Sequence, residues 1–219
     1  MIDTLITPEL FIDALAATFY MLGVALFLGS LLGIVLGIVV VVTRPGGILP
    51  NRVVSTVLNV VINLVRSLPF IILLVAILPF TRIIAGSSIG VNAAVVPLTI
   101  MIAPYIARLV ENSLLEVPPG IIEAAESMGA TRLQILVRFL LPEARSSLVQ
   151  SLTTATIGLL DATAMAGFVG AGGIGDVAIS YGYQRFDGFA MLLTVVTLIV
   201  IVQVIQFVGT RLARRLRRR

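Results

Sequence analysis

Long apolar runs with few charges alternate with short polar segments along most of this 219-residue chain. A helix that spans a bilayer needs about 20 predominantly apolar residues, and such a helix satisfies its backbone hydrogen bonds internally. The five runs that are long enough are residues 14–42, 53–80, 89–107, 146–168 and 188–210. The pattern therefore predicts an all-α, polytopic membrane protein with five transmembrane helices. We expect a single domain over residues 1–219, with its core at about 14–210.

The first predicted span carries glycines at a regular four-residue spacing, namely Gly29, Gly33 and Gly37. Small residues at this spacing lie on one face of a helix and let another helix approach closely. The same spacing would also fit a helix whose glycines face lipid without any packing role. The pattern alone leaves these two interpretations open.

Two other predicted spans contain polar residues. The second span carries Asn59, Asn63 and Arg66 on one helical face, and we expect that face to point into the bundle because polar side chains avoid lipid. The fourth span is rich in Ser, Thr, Ala and Gly, with few bulky residues. We therefore expect the fourth span to be packed on all sides at the centre of the bundle.

The overall composition agrees with a membrane protein and excludes several kinds of chemistry. Hydrophobic residues make up 58% of the chain, charged residues make up 12%, and the mean hydropathy is +1.12, which exceeds what a water-soluble domain needs. The chain has no cysteine and no histidine, so disulfides, thiol chemistry and zinc sites are excluded. It has neither a Walker A sequence nor a catalytic dyad. We therefore expect no enzyme active site, cofactor or metal in this chain.

All fifteen basic residues are arginine, and their distribution predicts the topology. The loop at 43–52, the polar segment at 117–144 and the C-terminal tail hold most of them, whereas the other two loops hold only Arg82 and Arg185. Positive charge is retained on the cytoplasmic side, and the acidic N-terminal segment is unlike a signal peptide. We therefore expect the N-terminus outside and the C-terminus inside. The basic tail is expected to contact anionic lipid headgroups rather than nucleic acid.

Residues 117–144 form a segment of mixed charge between two predicted spans. Pro119 fits the first turn of a helix, and Gly129 fits the positive-φ position that ends one. Thr131 can cap a second short helix, and Pro142 is expected to stop it. The segment is therefore a predicted helix–glycine–helix hairpin. In its first helix the apolar positions at helical spacing are Ile121, Ile122, Ala125 and Met128, and the positions on the wetter side are Glu123 and Glu126.

Within this hairpin a short motif is present, formed by Glu123-Ala124-Ala125, then Gly129, then Leu141-Pro142. It resembles the EAA loop of ABC importer permeases, with Phe139 where that family often has isoleucine. The resemblance implies a coupling helix that docks on a separate ATPase subunit, which the two adjacent alanines would let approach closely. An ordinary amphipathic hairpin is the alternative, whereas a DNA-binding helix-turn-helix is excluded by the flanking membrane spans. The implied docking residues are Glu123, Ala124, Ala125, Met128 and Gly129.

Three stretches outside the motif carry a further resemblance, namely RSLPFIILLVAILPFTR, APYIARLVENSLLEVPPG and AMAGFVGAGGIGDVAISYGYQRF. They are similar to the permease of methionine importers. The resemblance implies a multi-pass subunit in a bacterial inner membrane, which imports methionine by alternating access. It also implies a complex of two copies of this chain, two ATPase subunits that bind ATP and Mg, and one extracytoplasmic substrate-binding protein. The alternatives are a permease for another amino acid or small organic anion, an ATP-independent secondary transporter or channel subunit, and a membrane scaffold.

Three residues within the predicted spans are candidates for the translocation path. Met165 is a long side chain in a run of small residues, and the resemblance places a gate in this stretch, although core packing is the alternative. Arg66 and Asp161 would each cost roughly 2.5–3.5 kcal/mol if left alone at a helix centre. They lie ~20 and ~24 Å along their spans, which predicts an ion pair or a shared water network. The alternatives are a solvated Asp161, and an Arg66 that binds carbonyls freed near Pro69.

Overall fold

The computed structural model describes residues 5–217, and every regular element in that part of the chain is helical. Asp3 of the acidic N-terminal segment and Arg218 and Arg219 of the basic tail lie outside the described residues. The α-helices are α1 Pro8–Thr43, α2 Arg52–Arg66, α3 Phe70–Ala76, α4 Leu78–Ala85, α5 Val91–Leu115, α6 Pro119–Ser127, α7 Arg132–Gln134, α8 Leu141–Ala166, α9 Ile174–Val177 and α10 Gly188–Arg217. Ile135–Leu140 and Ala178–Tyr183 are π-helical, and Gly167–Val169 is a 3₁₀ turn.

Four helices in the described residues are long and apolar enough to cross a membrane. They are α1, α5, the continuous helix over Arg132–Val169, and α10. A fifth crossing exists only if α2 and α3 together form one span, and these two helices are bent by 101° at their junction. The polytopic all-α prediction is confirmed, with four to five candidate spans.

The second predicted span, over residues 53–80 with an expected kink at Ser67-Leu68-Pro69, is divided into three helices. The first break falls at Ser67–Pro69, where the Ser67 hydroxyl donates to the carbonyl of Asn63 at 2.7 Å. Helix α3 then starts at Phe70, with Pro69 as its N-cap. Proline disfavours the α conformation in the residue before it and lacks the N–H that would continue the helix. Local backbone chemistry therefore ends α2 despite the apolar run that follows.

Several helices extend beyond the predicted spans. The first helix begins at Pro8 because Thr7 is a good N-cap, whose hydroxyl oxygen accepts from the N–H of Leu10 at 3.2 Å. The fifth helix continues about two turns past residue 107, and the tenth runs on to Arg217. Hydropathy detects only the apolar part of a helix, whereas hydrogen bonding and capping decide where the helix itself ends.

The glycine ladder of α1 lies in a packing seam against α5. Gly29, Gly33 and Gly37 are all buried. A Cβ added at Gly33 would lie 2.6 Å from the carbonyl oxygen of Ala103, and one at Gly37 would lie 2.6 Å from that of Ala107. These distances are too short for any side chain, so the backbones of the two helices approach each other directly. The specific seam is therefore confirmed, and the lipid-facing interpretation is wrong.

The eighth helix packs on α1, α5 and α10, but one of its faces remains open in this chain. The prediction of a helix packed on all sides is therefore wrong for a single copy. Small residues make one face narrow enough to pack closely on its neighbours, while the opposite face is exposed within residues 5–217. The buried face carries Ala155, Leu159, Ala162 and Ala166, and the exposed face carries Gln150, Thr154, Asp161, Met165 and Phe168.

Candidate functional site

The elbow of the hairpin has the geometry that glycine at position 129 predicts. The N–H of Gly129 donates to the carbonyl of Glu126 at 2.9 Å, and the N–H of Ala130 donates to that of Ala125 at 3.0 Å. This pair of bonds is a Schellman motif, which requires a left-handed residue at its turn. Gly129 has φ +74°, and nothing lies within 4 Å of a Cβ placed there. Its backbone conformation, and not a lack of space, therefore favours glycine.

The return arm of the hairpin starts with the predicted cap. The N–H of Thr131 donates to Oε1 of Gln134 at 2.8 Å, and the N–H of Gln134 donates to Oγ1 of Thr131 at 3.4 Å. These two bonds form a capping box, which satisfies two backbone donors at once. The prediction that Thr131 caps a second helix is confirmed.

The prediction that Pro142 stops this second helix is wrong. The return arm continues through the π-helical segment Ile135–Leu140 directly into α8, and Pro142 lies in the first turn of α8. A proline inside a helix removes one hydrogen bond and crowds the carbonyl four residues before it. The wider π turn shifts the hydrogen bonding by one residue, as in the bond from Leu141 N–H to the carbonyl of Leu136. The hairpin is therefore joined to α8 without a break.

Burial divides the motif residues into two groups. Ala125 is 0% exposed, since it packs inside the hairpin between α6 and the return arm. Glu123, Ala124 and Gly129 are exposed, and Met128 is 70% exposed. The expectation that Ala125 offers its surface to a partner is corrected, because Ala125 is fully buried within this chain. We call the exposed set, Glu123, Ala124, Met128 and Gly129, the hairpin tip surface.

A chain of hydroxyl groups ties α5 to α8 at the base of the hairpin. The hydroxyls of Ser113 and Ser151 lie 2.8 Å apart, and the hydroxyl of Ser147 donates to that of Ser113 at 3.2 Å. Ser147 is also 2.6 Å from a carboxylate oxygen of Glu116. The sequence analysis did not identify this network, although the four-residue spacing of Ser147 and Ser151 was a usable signal.

A second polar network holds α2 against α5. One guanidinium nitrogen of Arg108 donates to Oδ1 of Asn59 at 3.0 Å and to Oδ1 of Asn63 at 2.9 Å. The other terminal nitrogen pairs with Glu111, in the only ion pair found within residues 5–217. Asn59 and Asn63 therefore face α5, as predicted, whereas Arg66 of the same predicted face is exposed. The contact of Arg108 with these two asparagines was not predicted from the sequence.

The structure does not bring Arg66 and Asp161 together. Both side chains are exposed, and neither makes an ion pair or hydrogen bond within residues 5–217. Arg66 lies only one turn beyond Asn63, which is bonded to Arg108 on α5. Asp161, in contrast, lies about 15 Å along α8 beyond Ser151, whose hydroxyl meets the same part of α5. The predicted match in depth is therefore not observed, and the ion pair is absent within residues 5–217, since Arg66 ends α2 one turn beyond the Arg108 network whereas Asp161 lies near the far end of α8.

Asp161 and Met165 share the open face of α8. Residues four positions apart lie one above the other on a helix, and both of these side chains are exposed, with Met165 at 40%. The long Met165 side chain therefore projects from the chain rather than filling its core. The core-packing alternative for Met165 is not supported, since buried residues surround it on the other face only.

The sequence that forms this fold and hairpin matches a known protein family. A family model described as "Binding-protein-dependent transport system inner membrane component" matches residues 29–219. The chain belongs to this family of membrane components of transport systems.

Individual relatives are more specific. The chain is 49% identical over 210 residues to a protein of Vibrio cholerae named "Probable D-methionine transport system permease protein MetI", covering 96% of this chain and 93% of that one. It is 49% identical over 155 residues to the "D-methionine transport system permease protein MetI" of Escherichia coli K12, covering 71% and 70%.

Solved structures give the same picture. A crystal structure described as inward-facing conformations of the MetNI methionine ABC transporter (CY5 native crystal form) matches with a TM-score of 0.93 and 44% identity, covering 96% of this chain and 99% of that one. An amino acid ABC transporter crystallised with histidines matches with a TM-score of 0.77 at 21% identity. The second likeness supports the fold alone.

Proposed function

We propose that this chain is the permease subunit of a type I ABC importer that moves methionine, as the D or L form, across a bacterial inner membrane. The observation that carries the proposal is the match to the Vibrio cholerae permease, at 49% identity over 96% of this chain. The match covers nearly the full length of both proteins, so it includes the helices as well as the hairpin.

The proposed complex contains two copies of this chain, two ATPase subunits and one extracytoplasmic binding protein. ATP and Mg bind to the ATPase subunits, so this chain is not itself an enzyme. We place the N-terminus outside and the C-terminus inside. In this arrangement α2 and α3 together form one span, the second of five in chain order. The arginines support this orientation, because the tail of α10 and the hairpin then lie on one side with the loop that holds Arg44.

In the proposed mechanism the hairpin tip surface docks on an ATPase subunit. The elbow is fixed by two hydrogen bonds and the return arm by a capping box, so the hairpin moves as a unit. The return arm continues into α8 as one helix over Arg132–Val169. A displacement of the hairpin by the ATPase therefore moves α8. Met165 lies near the end of α8 opposite the hairpin, so it moves with the helix.

The part of the open α8 face that carries Asp161 and Met165 is proposed to line the translocation path beside a second copy of the chain. In a two-fold pair, the same face of both copies meets across the axis. Two Met165 side chains would then close the path, since methionine is apolar and flexible. Asp161, one turn away, and the exposed Arg66 would contact the water-filled part of the path, which satisfies their charges.

Reconstituted transport tests the proposal directly. The full chain and its co-expressed ATPase are placed in proteoliposomes with the binding protein, and uptake of radiolabelled D-methionine, L-methionine and other amino acids is measured. We expect ATP-dependent uptake of methionine, at a higher rate than the uptake of the other amino acids. Uptake without ATP would support a secondary transporter or channel, and equal uptake of another amino acid would reject the substrate assignment.

The gate is tested by Met165→Ala, with Met101→Ala as the control. Met101 is a partly buried methionine packed against the core, so its loss removes packing without opening a path. We expect Met165→Ala to leak substrate without ATP, and Met165→Cys to crosslink between the two copies. If Met165→Ala does not leak substrate and Met165→Cys does not crosslink, the gate lies elsewhere.

A further inference from the structure

A groove of about 320 Å³ lies between α8 and α10, beside the basic C-terminal tail. Its two walls meet where Gly209 of α10 packs on Thr153 of α8, since an added Cβ would lie 2.1 Å from the threonine hydroxyl oxygen. The hydroxyl of Ser146 also donates to the carbonyl of Ala213 at 3.0 Å. These contacts hold the two helices together along the groove and fix its width.

The groove presents hydrogen-bond donors that are free within residues 5–217. Arg214 and Arg217 line it from α10, and neither guanidinium forms an ion pair or hydrogen bond with that part of the chain. Gln150 and Gln206 add an amide group from each wall. None of the described residues that line the groove is acidic. Two cations and two neutral donors around one cleft form a site for an oxyanion.

Two threonine hydroxyls that line the groove from α8 already donate to backbone carbonyls of their own helix. The hydroxyl of Thr154 donates to the carbonyl of Gln150 at 3.1 Å, and that of Thr153 donates to the carbonyl of Val149 at 2.8 Å. Glu116 and Glu143 line a neighbouring cavity, which shares Ser146, Gln150 and Arg217 with the groove. The positive charge of the groove therefore comes from Arg214 foremost, with Arg217 between the two cavities.

The groove lies at the level of the membrane surface. The tenth helix has 30 residues and is about 45 Å long, whereas the hydrocarbon core is about 30 Å thick. The end of α10 with the arginines therefore projects into the headgroup region. Arg211 stacks over Phe207 with its guanidinium carbon 4.3 Å from the ring centroid, and such aromatic and basic residues are typical of that boundary.

We propose that the groove binds the phosphate of an anionic phospholipid headgroup. Arg214 and Arg217 supply the charge, and Gln150 and Gln206 supply neutral hydrogen bonds to the phosphate oxygens. The lipid tails would then continue along the apolar surface of α10. A lipid bound there joins α8 to α10, so it would hold in place the helix that continues from the hairpin.

Lipid retention by the purified protein tests this site. The full-length chain, in the complex in which it purifies, is titrated in detergent with dioleoyl phosphatidylglycerol or dioleoyl phosphatidylcholine, and bound lipid is counted by native mass spectrometry. The variant R214Q/R217Q removes the groove charges. The matched control R211Q/R215Q removes two charges from the same helix outside the groove. Detergent excludes the general attraction of a charged bilayer, so a bound lipid reports the site itself.

We expect wild type and R211Q/R215Q to bind phosphatidylglycerol in preference to phosphatidylcholine. We expect R214Q/R217Q to lose about 30-fold in affinity for phosphatidylglycerol, since each arginine near an anionic lipid contributes about fivefold. Gln206→Leu, which keeps all charges, should weaken binding without affecting elution in size-exclusion chromatography. Equal losses in the two double variants would overturn the proposal, because tail charge alone would then explain binding. Displacement of the lipid by excess inorganic phosphate would also overturn it in favour of a free-oxyanion site.

Discussion

The α1–α5 seam and the hairpin over 117–144 both depend on glycine, but for different physical reasons. In the seam, Gly33 has backbone and side-chain atoms within 2.8 Å of where a Cβ would be, and its own helix is regular. In the hairpin, Gly129 has open space around it but has φ +74°. One position excludes a side chain for lack of room, and the other resists one because of its dihedral angle. The two regions should therefore respond differently to the same substitutions.

The two regions also differ in what surrounds them. The seam is buried within one chain, where two helix backbones meet. The hairpin buries Ala125 but exposes its tip surface. A change in the seam should therefore affect whether the chain folds. A change in the hairpin should affect local order or binding to another subunit, depending on which side is altered.

The largest expected effect is that of Gly33→Leu in the seam. The new side chain would meet the carbonyl of Ala103 and the side chain of Ile106, and overpacking of this kind costs about 1–3 kcal/mol or more. We expect little monodisperse protein in size-exclusion chromatography. The matched control is Gly23→Leu on the same helix, where nothing lies within 4 Å of the Cβ. Equal yields of the two variants would mean that the seam does not need this close approach.

The next largest effect is expected for Ala125→Trp, which places a large side chain inside the hairpin. Since Ala125 is fully buried, overpacking of about 1–3 kcal/mol should separate α6 from the return arm. We expect faster proteolysis within residues 117–144 and loss of the co-purifying ATPase.

Ala124→Trp is the matching comparison, because Ala124 is the exposed neighbour of the buried Ala125. This variant should keep the protease resistance of wild type and still lose the ATPase, since only the tip surface is changed. If both variants keep the ATPase, the tip surface does not dock on it. If Ala124→Trp is cleaved faster and Ala125→Trp is not, then Ala124 rather than Ala125 is the buried alanine.

A smaller effect is expected at the elbow. Gly129→Val places a β-branched residue in the left-handed region at a cost of about 1–2 kcal/mol, whereas asparagine visits this region readily. We expect Gly129→Val to reduce ATP-dependent uptake with normal expression, and Gly129→Asn to stay close to wild type. Equal impairment by both variants would point to a contact at the tip, rather than the dihedral angle, as the reason for glycine.

The smallest effect is expected for Thr131→Ala at the start of the return arm. Loss of an N-cap hydroxyl costs about 1 kcal/mol, and the backbone N–H of Gln134 would lose its acceptor, Oγ1 of Thr131. Hydrogen exchange of the backbone amides at 131–134 should accelerate, while exchange in the α1–α5 seam should not change. Thr131→Ser, which keeps the hydroxyl, serves as the control, and a variant that exchanges as slowly as wild type would show that the capping box adds no stability.

The sequence by itself determined the features that depend on composition or on neighbouring residues. The excess of apolar residues requires a membrane, the absence of cysteine and histidine removes their chemistry, and arginine is the sole basic residue. Gly129 and Thr131 were assigned correctly because a turn and a cap are formed within a few residues of each other. The seam of Gly29, Gly33 and Gly37 was predicted as one of two options, since spacing identifies a face of a helix but not what packs on it.

Only the tertiary structure decided which surfaces meet. A hydropathy pattern measures apolar length, so it could not give the 101° bend after α2. Counting residues along each helix gave similar depths for Arg66 and Asp161, but it could not give how α2 and α8 are placed relative to each other. Helical spacing put Ala125 and Met128 on one side, yet Ala125 is fully buried and Met128 is exposed. The partners of Arg108 come from a helix about 45–49 residues away along the chain. Periodicity describes one helix at a time, whereas burial and pairing are set by the position of its neighbours.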